Sequence, residues 1–388
     1  MSRTSPQADT VSAAAGMQAL LRERAEEIEA ARRLPQDISD RFGAAGFYRM
    51  CVPGLYGGLE LAPAVTMQTV ETLARADGSA AWCVFIGATS GSVLAALPEA
   101  SAREIFARPE TLIAGVVAPR GRAETVDGGF RVNGRWQWGS ATQNADWILG
   151  GSMLERDGEI VRGPGGAPRS HMMLAPASQV ELHDTWYVSG LSGTGSTDFE
   201  MRDVFVPEDR AVGFKAGPRP DGPLYAFPTF GLLAMGIAAV SLGLARAAID
   251  ELIEVAGGKT PQGSSRTLDR RPAAQADVSE AEALLRSSRA FYYEAIEAAW
   301  EAARTAGEVR VEQRRDLRLA TTHAVRSCAS AVDLMYHLAG GTSVYARSPL
   351  QRIFRDVHVA TQHMMASRST LELTGRLFLG LETDTSLL

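Results

Sequence analysis

The hydrophobic period of the chain changes twice, and this constrains the fold more than any other feature. Apolar residues recur at helical spacing through residues 1–110, alternate in short runs from about residue 111, and return to helical spacing after Asp221. Because a helix and a strand need different periods, the chain must contain a helical region, a β-region and a second helical region, in that order. We therefore predict an α+β protein with domains over residues 1–110, 111–224 and 225–388, a division that 388 residues easily support.

Proline and glycine mark where the helices of the two outer regions begin and end. In the first region the predicted helices cover residues 11–34, 62–76 and 79–97, with a short one after Pro98. In the last region they cover residues 226–256, 270–306, 312–339 and 348–378. Four long helices joined by short links predict a four-helix bundle.

The middle region has the composition of short strands. Predicted strands cover residues 111–118, 125–132, 136–138, 147–149, 172–175, 180–182 and 199–206. Asp127-Gly128-Gly129 is a hairpin signal between two of them. Residues 155–170 are rich in glycine, proline and charge, which indicates a solvated loop. Strands of this length and spacing predict a small antiparallel barrel or sandwich.

Charge and cysteine spacing exclude several classes of function. The net charge is −6 and there is no basic tail, so nucleic acid is not an expected partner. Cys51, Cys83 and Cys328 are odd in number and far apart, so neither a disulfide framework nor a zinc site is indicated. We predict no metal site.

One apolar run is about as long as a bilayer-spanning helix, roughly 18 residues. It covers residues 227–244 and contains Pro228 and several glycines, which favour a buried core helix. The N-terminus lacks a basic-then-apolar signal pattern. We therefore expect a cytoplasmic protein that does not enter the membrane.

Two segments of the middle region belong together. Residues 129–147 read Gly-Phe-Arg-Val-Asn-Gly-Arg-Trp-Gln-Trp-Gly-Ser-Ala-Thr-Gln-Asn-Ala-Asp-Trp, and residues 190–210 begin Gly-Leu-Ser-Gly-Thr-Gly-Ser-Thr-Asp-Phe-Glu. The pair resembles the β-domain of the acyl-CoA dehydrogenase superfamily, whose members bind flavin. The order of the three domains and the Gly-Gly-Thr to Arg-Asp segment of residues 340–356 extend the resemblance over the whole chain. It implies a homotetramer that holds flavin between the bundle and the β-domain.

The resemblance assigns flavin contacts to five residues. It places Trp138 against the isoalloxazine ring and the Ser140 hydroxyl on flavin N5, whereas by themselves the two would read as a strand aromatic and a turn residue. It also assigns Gly340 and Gly341 to the cofactor. Arg266 lies near the position where relatives place an arginine on the flavin phosphates of a neighbouring subunit, a contact that suits a guanidinium.

No nicotinamide-binding motif accompanies these residues in the sequence. Gly190–Ser196 is rich in glycine, but a strand rather than a helix follows it, so it is not a dinucleotide fingerprint. A reduced flavin would therefore have to come from another protein. Where the dehydrogenases carry a longer phosphate-binding loop, this chain has Ala118–Glu124 with Arg120 and Arg122, which either contact a phosphate or form a solvated charge pair.

Residues 352–364 decide the chemistry. In many dehydrogenases a glutamate nine residues after the arginine of this segment removes the α-proton, and here Met364 stands at that position. Residues 227–246, where some relatives place the base instead, contain no Asp or Glu. Abstraction of a proton next to a thioester needs such a carboxylate. His363 instead resembles the histidine of two-component flavin-dependent monooxygenases, such as the hydroxyphenylacetate and dibenzothiophene oxygenases.

This branch of the superfamily implies a specific reaction. A separate NAD(P)H:flavin reductase supplies diffusible reduced FMN or FAD, which forms a C4a-hydroperoxide with O2 and hydroxylates a small aromatic substrate. His363 would hydrogen-bond the adduct or activate the substrate, since imidazole donates or accepts near neutral pH. His358 would lie about 140° away on a continuous helix, at the surface or an interface.

Aromatic residues at several positions are candidates for a substrate pocket. They are Trp82, Phe85, Trp186, Tyr187, Phe227 and Phe230, and the aliphatic Met235 is a further candidate. Thr89 and Ser90 stand near the position where several such oxygenases carry a further histidine. Two alternatives stay open: an acyl-CoA-dehydrogenase-like FAD oxidoreductase with a displaced base, and a non-catalytic subunit with a flavin fold.

Overall fold

The computed structural model of this chain describes residues 6–213 and 221–388, so the end of the predicted middle domain lies partly outside the described residues. Six α-helices precede the sheet in this part of the chain. They are α1 Pro6–Glu23, α2 Ala25–Ala31, α3 Gln36–Ala44, α4 Pro63–Ala74, α5 Gly78–Val93 and α6 Glu99–Ile105. The predicted helical region is confirmed, with the first helix divided at Arg24.

The middle region forms one eight-stranded sheet. Its strands are β1 Ile113–Val126, β2 Gly129–Gly139, β3 Trp147–Arg156, β4 Glu159–Ile160, β5 Ser170–Pro176, β6 Glu181–His183, β7 Thr197–Pro207 and β8 Ala211–Gly213. They are ordered β6-β7-β2-β1-β3-β5-β8, with β4 paired to β3. The hairpin at Asp127-Gly128 is confirmed, because Val126 pairs with Gly129.

Two details of this sheet differ from the prediction. Strands β1 and β3 run parallel, whereas an antiparallel barrel or sandwich was expected. Residues 118–124 belong to β1 and are not a loop; the strand changes register between Val116 and Gly121. A side chain at Gly121 would have its Cβ 2.3 Å from the Trp136 ring, so the glycine lets this strand pass over the core tryptophan.

The last region contains the predicted bundle. Its helices are α7 Pro223–Ala226, α8 Thr229–Ala256, α9 Pro272–Ala306, α10 Val311–Ala339, α11 Pro349–Thr361 and α12 Arg368–Phe378. Helix α10 packs on α8, α9, α11 and α12. Helices α5 and α8 are long and apolar enough to cross a membrane, but most of their residues are buried inside the protein. They pack so closely that a Cβ on Gly236 would lie 2.3 Å from the Phe85 ring.

The prediction of one helix over residues 348–378 was wrong, because the chain breaks at His363. Its backbone is extended, with φ −67° and ψ 132°, and a short 3₁₀ turn follows over Met364–Ala366. The ring of His363 accepts the N–H of Met365, which gives the new turn the acceptor that a helix start requires. The angular argument that separated His358 from His363 assumed a continuous helix and therefore does not apply.

Candidate active site

Three parts of the chain meet at Ser140, which follows β2. The Trp82 indole N–H on α5 donates to the Ser140 hydroxyl over 3.1 Å. The Ser196 hydroxyl, from the loop before β7, lies 2.6 Å from the Ser140 oxygen. Ser140 is only 7% exposed, so these contacts define its surroundings. The site therefore joins the N-terminal helical region to both halves of the β-domain.

The hydroxyl groups at this junction form a hydrogen-bond chain with one direction. Thr194 Oγ1 donates to the carbonyl of Leu191 over 2.8 Å, and its only proton is thereby used. Ser196, 2.6 Å away, must then donate to Thr194. Ser140 must in turn donate to Ser196 and accept from Trp82. The remaining lone pair of Ser140 can only accept a further hydrogen bond.

Backbone conformations that side chains rarely adopt are concentrated here. Trp138, Ala141 and Leu191 have φ values of +67°, +63° and +51°. Such left-handed conformations cost energy in residues other than glycine and occur often at functional sites. At Trp138 the result is a side chain that is 65% exposed, beside the buried Ser140. The indole is thus accessible to a ligand, while its contact with the isoalloxazine ring stays a prediction.

Helix α11 clamps the loop that carries the hydroxyl groups. The buried carboxylate of Asp356 accepts the N–H of Leu191 over 2.5 Å, and Arg355 donates to the carbonyl of Ser189 over 2.7 Å. Between them, a Cβ on Gly190 would lie 2.5 Å from the Arg355 backbone, so only glycine fits. Burial raises the pKa of Asp356 to about 7, which shows how completely this contact is shielded from water.

His363 faces this junction from the bundle. Its ring centroid lies 6.0 Å from that of Trp82. Because Nδ1 accepts the Met365 N–H, the proton of the neutral imidazole is on Nε2, which has no hydrogen-bond partner among the described residues. Burial, reinforced by the charge of Arg318, lowers the pKa of His363 to about 4. At neutral pH the group is therefore an uncharged N–H donor.

The low pKa of His363 predicts a dependence of stability on pH. The unfolded chain protonates this histidine near pH 6.5, whereas the folded protein does so only near pH 4. The contribution is fully present above pH 6.5 and is lost as the pH falls from 6.5 towards 4, because the unfolded state then binds the additional proton. We measure the free energy of unfolding in urea at pH 7.5, 6 and 5. Between pH 7.5 and pH 5, we expect it to fall less in His363→Asn than in the wild type.

Comparison of the wild type with His363→Asn isolates the contribution of His363 to the pH dependence of stability. Asp356 acts in the opposite direction, since its raised pKa makes its contribution disappear as the pH rises from 3.8 through 7. It is present in both proteins and cancels in the difference. Parallel stability curves for wild type and variant over this range would show that His363 is not held neutral by the fold.

The structure brings together only part of the predicted site. Trp82, Phe85, Ser140 and His363 lie at the junction, where the Trp82 and Phe85 rings pack edge to face at 4.9 Å. Trp186 is at the outer side of the clamped loop and donates to the carbonyl of Leu191. The remaining pocket candidates are the exposed Tyr187, the partly exposed Phe230, and the buried Phe227 and Met235.

Thr89 and Ser90 are buried on α5, but their hydroxyl groups have local partners. Thr89 donates to the carbonyl of Phe85 and Ser90 to that of Ile86, each over 2.8 Å. These are bonds within the helix, so in this conformation neither hydroxyl is directed towards a ligand. Their predicted replacement of a missing histidine stays a prediction.

Arg266, Gly340 and Gly341 lie at a different place in the protein. All three are exposed, and the loop of Arg266 is tied to the glycine segment by Lys259, which donates to Ala339 and Thr342. They are at the C-terminal end of α10, roughly 30 Å from its N-terminal turns near His363 at 1.5 Å per residue. In this chain they therefore lie apart from the junction of Ser140, Trp82 and His363, and their flavin contacts stay a prediction.

Of the other charged candidates, Arg122 and His358 are paired with carboxylates. Arg122 forms an ion pair with Glu155, while Arg120 is exposed on β1. His358 lies 2.7 Å from Asp333 of α10, away from His363, as expected for a surface residue. In the described part of the chain, Glu181, His183 and Glu200 could hold a metal ion, but Arg202 pairs with both glutamates.

Sequence reasoning missed several residues that shape the site. Ser196 and Thr194 were included only as part of a glycine-rich loop, and Asp356 only as part of a motif. The one available signal was the pair of hydroxyl residues in a loop already matched to the flavin site. Arg318, whose charge reaches His363, had no signal, because nothing near it in the sequence distinguishes it from a surface arginine.

Comparison with known proteins shows similarity along most of the chain. Residues 9–104 match the family model described as acyl-CoA dehydrogenase, N-terminal domain, and residues 235–368 match acyl-CoA dehydrogenase, C-terminal domain. The chain is 39% identical to the indole-3-acetate monooxygenase of Pseudomonas putida, over 92% of this chain and 90% of that protein. It is 31% identical to the flavin-dependent monooxygenase, oxygenase subunit HsaA, of Rhodococcus jostii, over 88% and 91%.

One similar protein has been solved with a bound reduced flavin. XiaF from Streptomyces sp., in complex with FADH2 and glycerol, superposes with a TM-score of 0.89 and 25% identity, over 97% of this chain and 96% of that chain. The similarity therefore includes the N-terminal helices, the sheet and the C-terminal bundle.

Proposed function

This chain belongs to the acyl-CoA dehydrogenase family, within its flavin-dependent monooxygenases, and from this premise we propose that it hydroxylates a small aromatic compound as the oxygenase component of a two-component system. It uses a reduced flavin. Indole-3-acetate, which gives the Pseudomonas putida relative its name, is the first compound to test.

One observation carries the proposal: a neutral imidazole faces the junction where a dehydrogenase needs a carboxylate. Among the described residues, no Asp or Glu hydrogen-bonds or ion-pairs with His363, Trp82 or Ser140. Met364, at the position of the dehydrogenase base, is 67% exposed. Removal of an α-proton has no base here, whereas an N–H donor suits the stabilisation of an oxygen atom.

The residues present fit a reduced flavin. Ser140 has one free lone pair and no free proton, so it can accept the N5–H that only the reduced ring carries. Trp138 offers an exposed aromatic face two residues away. When bound, the reduced flavin supplies the electrons that activate O2. His363 would donate a hydrogen bond from its Nε2–H to an oxygen atom in the site, and the surrounding aromatic side chains would exclude water.

The finer points of this proposal rest on the comparisons and on residue placement. We propose FADH2 rather than FMNH2, because the similar XiaF was solved with FADH2. A separate NAD(P)H:flavin reductase would supply it in the cytoplasm, in keeping with the oxygenase-subunit name of the R. jostii relative. A homotetramer would bring Arg266, Gly340 and Gly341 of a second copy to the flavin, since they lie far from His363 in their own chain.

Mixing the reduced holoprotein with O2 tests the proposal. The protein is loaded anaerobically with FADH2 or FMNH2 and indole-3-acetate, and then mixed with oxygenated buffer. We expect about one hydroxylated product for each O2 consumed, with the second oxygen atom released as water and little free H2O2. In a parallel experiment, butyryl-CoA should not bleach the protein loaded with oxidised FAD. Bleaching by the acyl-CoA, or release of all O2 as H2O2 with every aromatic compound tried, would contradict the proposal.

A further inference from the structure

Arg318 is a buried cation whose guanidinium has unused hydrogen-bond donors among the described residues. It lies on α10 and is only 4% exposed, and its Nε and Nη1 atoms have no hydrogen-bond partner among the described residues. Burial alone lowers its pKa to about 10, so no nearby carboxylate neutralises it and it remains charged at neutral pH. Buried arginines are normally paired, because an isolated charge in the interior is costly.

Two further polar groups without partners lie beside it. The Oγ1 atoms of Thr321 and Thr322 are buried and have no hydrogen-bond partner in the described part of the chain. Other helical threonines, such as Thr69 and Thr72, donate to the carbonyl four residues earlier. At 100° per residue, Thr321 and Thr322 lie about 60° and 40° from Arg318 around the helix, on the same stripe. One face of α10 therefore carries several unused hydrogen-bonding groups.

This stripe is adjacent to the candidate active site. The charge of Arg318 contributes to the low pKa of His363, and α10 packs on the Met364–Ala366 turn that directly follows this histidine. On the other side, Leu317 approaches the first turn of α8, where a Cβ on Gly231 would lie 3.4 Å from its side chain. The unpaired groups thus lie between the His363 turn and the start of α8.

We propose that Arg318, Thr321 and Thr322 form an anion subsite that binds a carboxylate group of the aromatic substrate. The inference rests on the proposed function and deepens it, because it defines the substrate as an aromatic acid. A guanidinium presents two parallel N–H donors that match the two oxygens of a carboxylate, and the threonine hydroxyls add further donors. The substrate supplies the negative charge that the protein itself lacks at this place.

Paired ligands test the proposal without any turnover. Indole-3-acetate, 4-hydroxyphenylacetate and benzoate are each compared with their neutral amides by calorimetric titration of flavin-free and FAD-loaded protein. We expect at least one acid to bind the wild type more tightly than its amide. In Arg318→Met its affinity falls by about 30-fold or more, the range for removal of one partner of a buried charge pair. Affinity for the amide stays within about threefold.

Two further variants keep the test independent of any folding defect. Thr322→Val preserves shape, and we expect it to weaken binding of the acid by several-fold but not binding of the amide. Arg326→Met is the matched control, because Arg326 is exposed on the same helix, and its affinities should equal those of the wild type. In ligand-free Arg318→Met, the pKa of His363, followed by NMR, should rise because the nearby charge is gone.

Several outcomes would overturn the inference. They are the absence of any acid-over-amide preference in the wild type, an equal loss for acid and amide in Arg318→Met, and weaker binding of flavin with unchanged binding of acids. The last result would assign Arg318 to the flavin. Failure of the proposed function looks different: acids would bind through Arg318, but no oxygenated product would form.

Discussion

Replacing His363 with asparagine is expected to lower the yield of hydroxylated product per O2 consumed by about 100- to 1,000-fold, the usual effect of removing one positioned hydrogen-bond donor. Asparagine can still accept the Met365 N–H and so preserve the turn after the helix break, but it lacks the Nε2–H of the imidazole ring that lies beside Trp82. O2 should then leave as H2O2. Product and H2O2 are measured together after mixing the FADH2-loaded variant with O2.

Two matched variants separate the loss of the N–H donor from a loss of stability and from the effect of replacing another histidine. His363→Ala removes both the N–H donor and the cap, so it should lose stability as well as product, whereas His363→Asn should lose product alone. His358→Asn is the control histidine, because it is five residues away and pairs with Asp333 at the surface. Equal loss of product in the His358 variant, or normal yield in His363→Asn, would remove His363 from the reaction.

Replacing Trp136 with alanine is expected to cost about 3–5 kcal/mol of unfolding free energy, the range for loss of a large aromatic side chain from a core. Trp136 is fully buried, stacks on Phe199 at a centroid distance of 5.0 Å, and donates to the carbonyl of Gly151 over 2.8 Å. Urea unfolding, followed by circular dichroism of the sheet, measures the loss. The variant also leaves the Gly151 carbonyl without this partner.

Trp138 is the internal control, since it is the neighbouring tryptophan of the same strand with its side chain in solvent. Trp138→Ala should change the free energy of unfolding by less than about 0.5 kcal/mol. It should instead weaken binding of reduced flavin, because the exposed indole is the predicted contact with the ring. If the two variants lose similar stability, then burial does not distinguish the two tryptophans in the way the structure indicates.

The sequence by itself determined the order of the helical, strand and helical regions and most of the elements in them. Helix and strand periods depend on residues close together in the chain, and the Asp127-Gly128 turn and the glycines at helix ends act over a few residues. Resemblance then selected Ser140, Trp138 and His363 from short motifs. These predictions required no knowledge of what each segment packs against.

The tertiary structure decided what these residues touch and in which state they are held. Ser140 meets Trp82 and Ser196 across 58 and 56 residues of chain, and Asp356 meets Leu191 across 165. Residues 348–378 have helical periodicity throughout, so the break at His363 was not visible locally.

Arg318 shows most clearly what the sequence alone does not reveal. A buried arginine and a surface arginine look the same within a helix, since side-chain burial depends on the neighbouring helices rather than on the sequence around it. Only the packing of α10 against the other helices removes water from Arg318 and leaves its charge unpaired near His363. Desolvation is a property of the assembled fold, and it is desolvation that sets the protonation and hydrogen-bonding roles in this site.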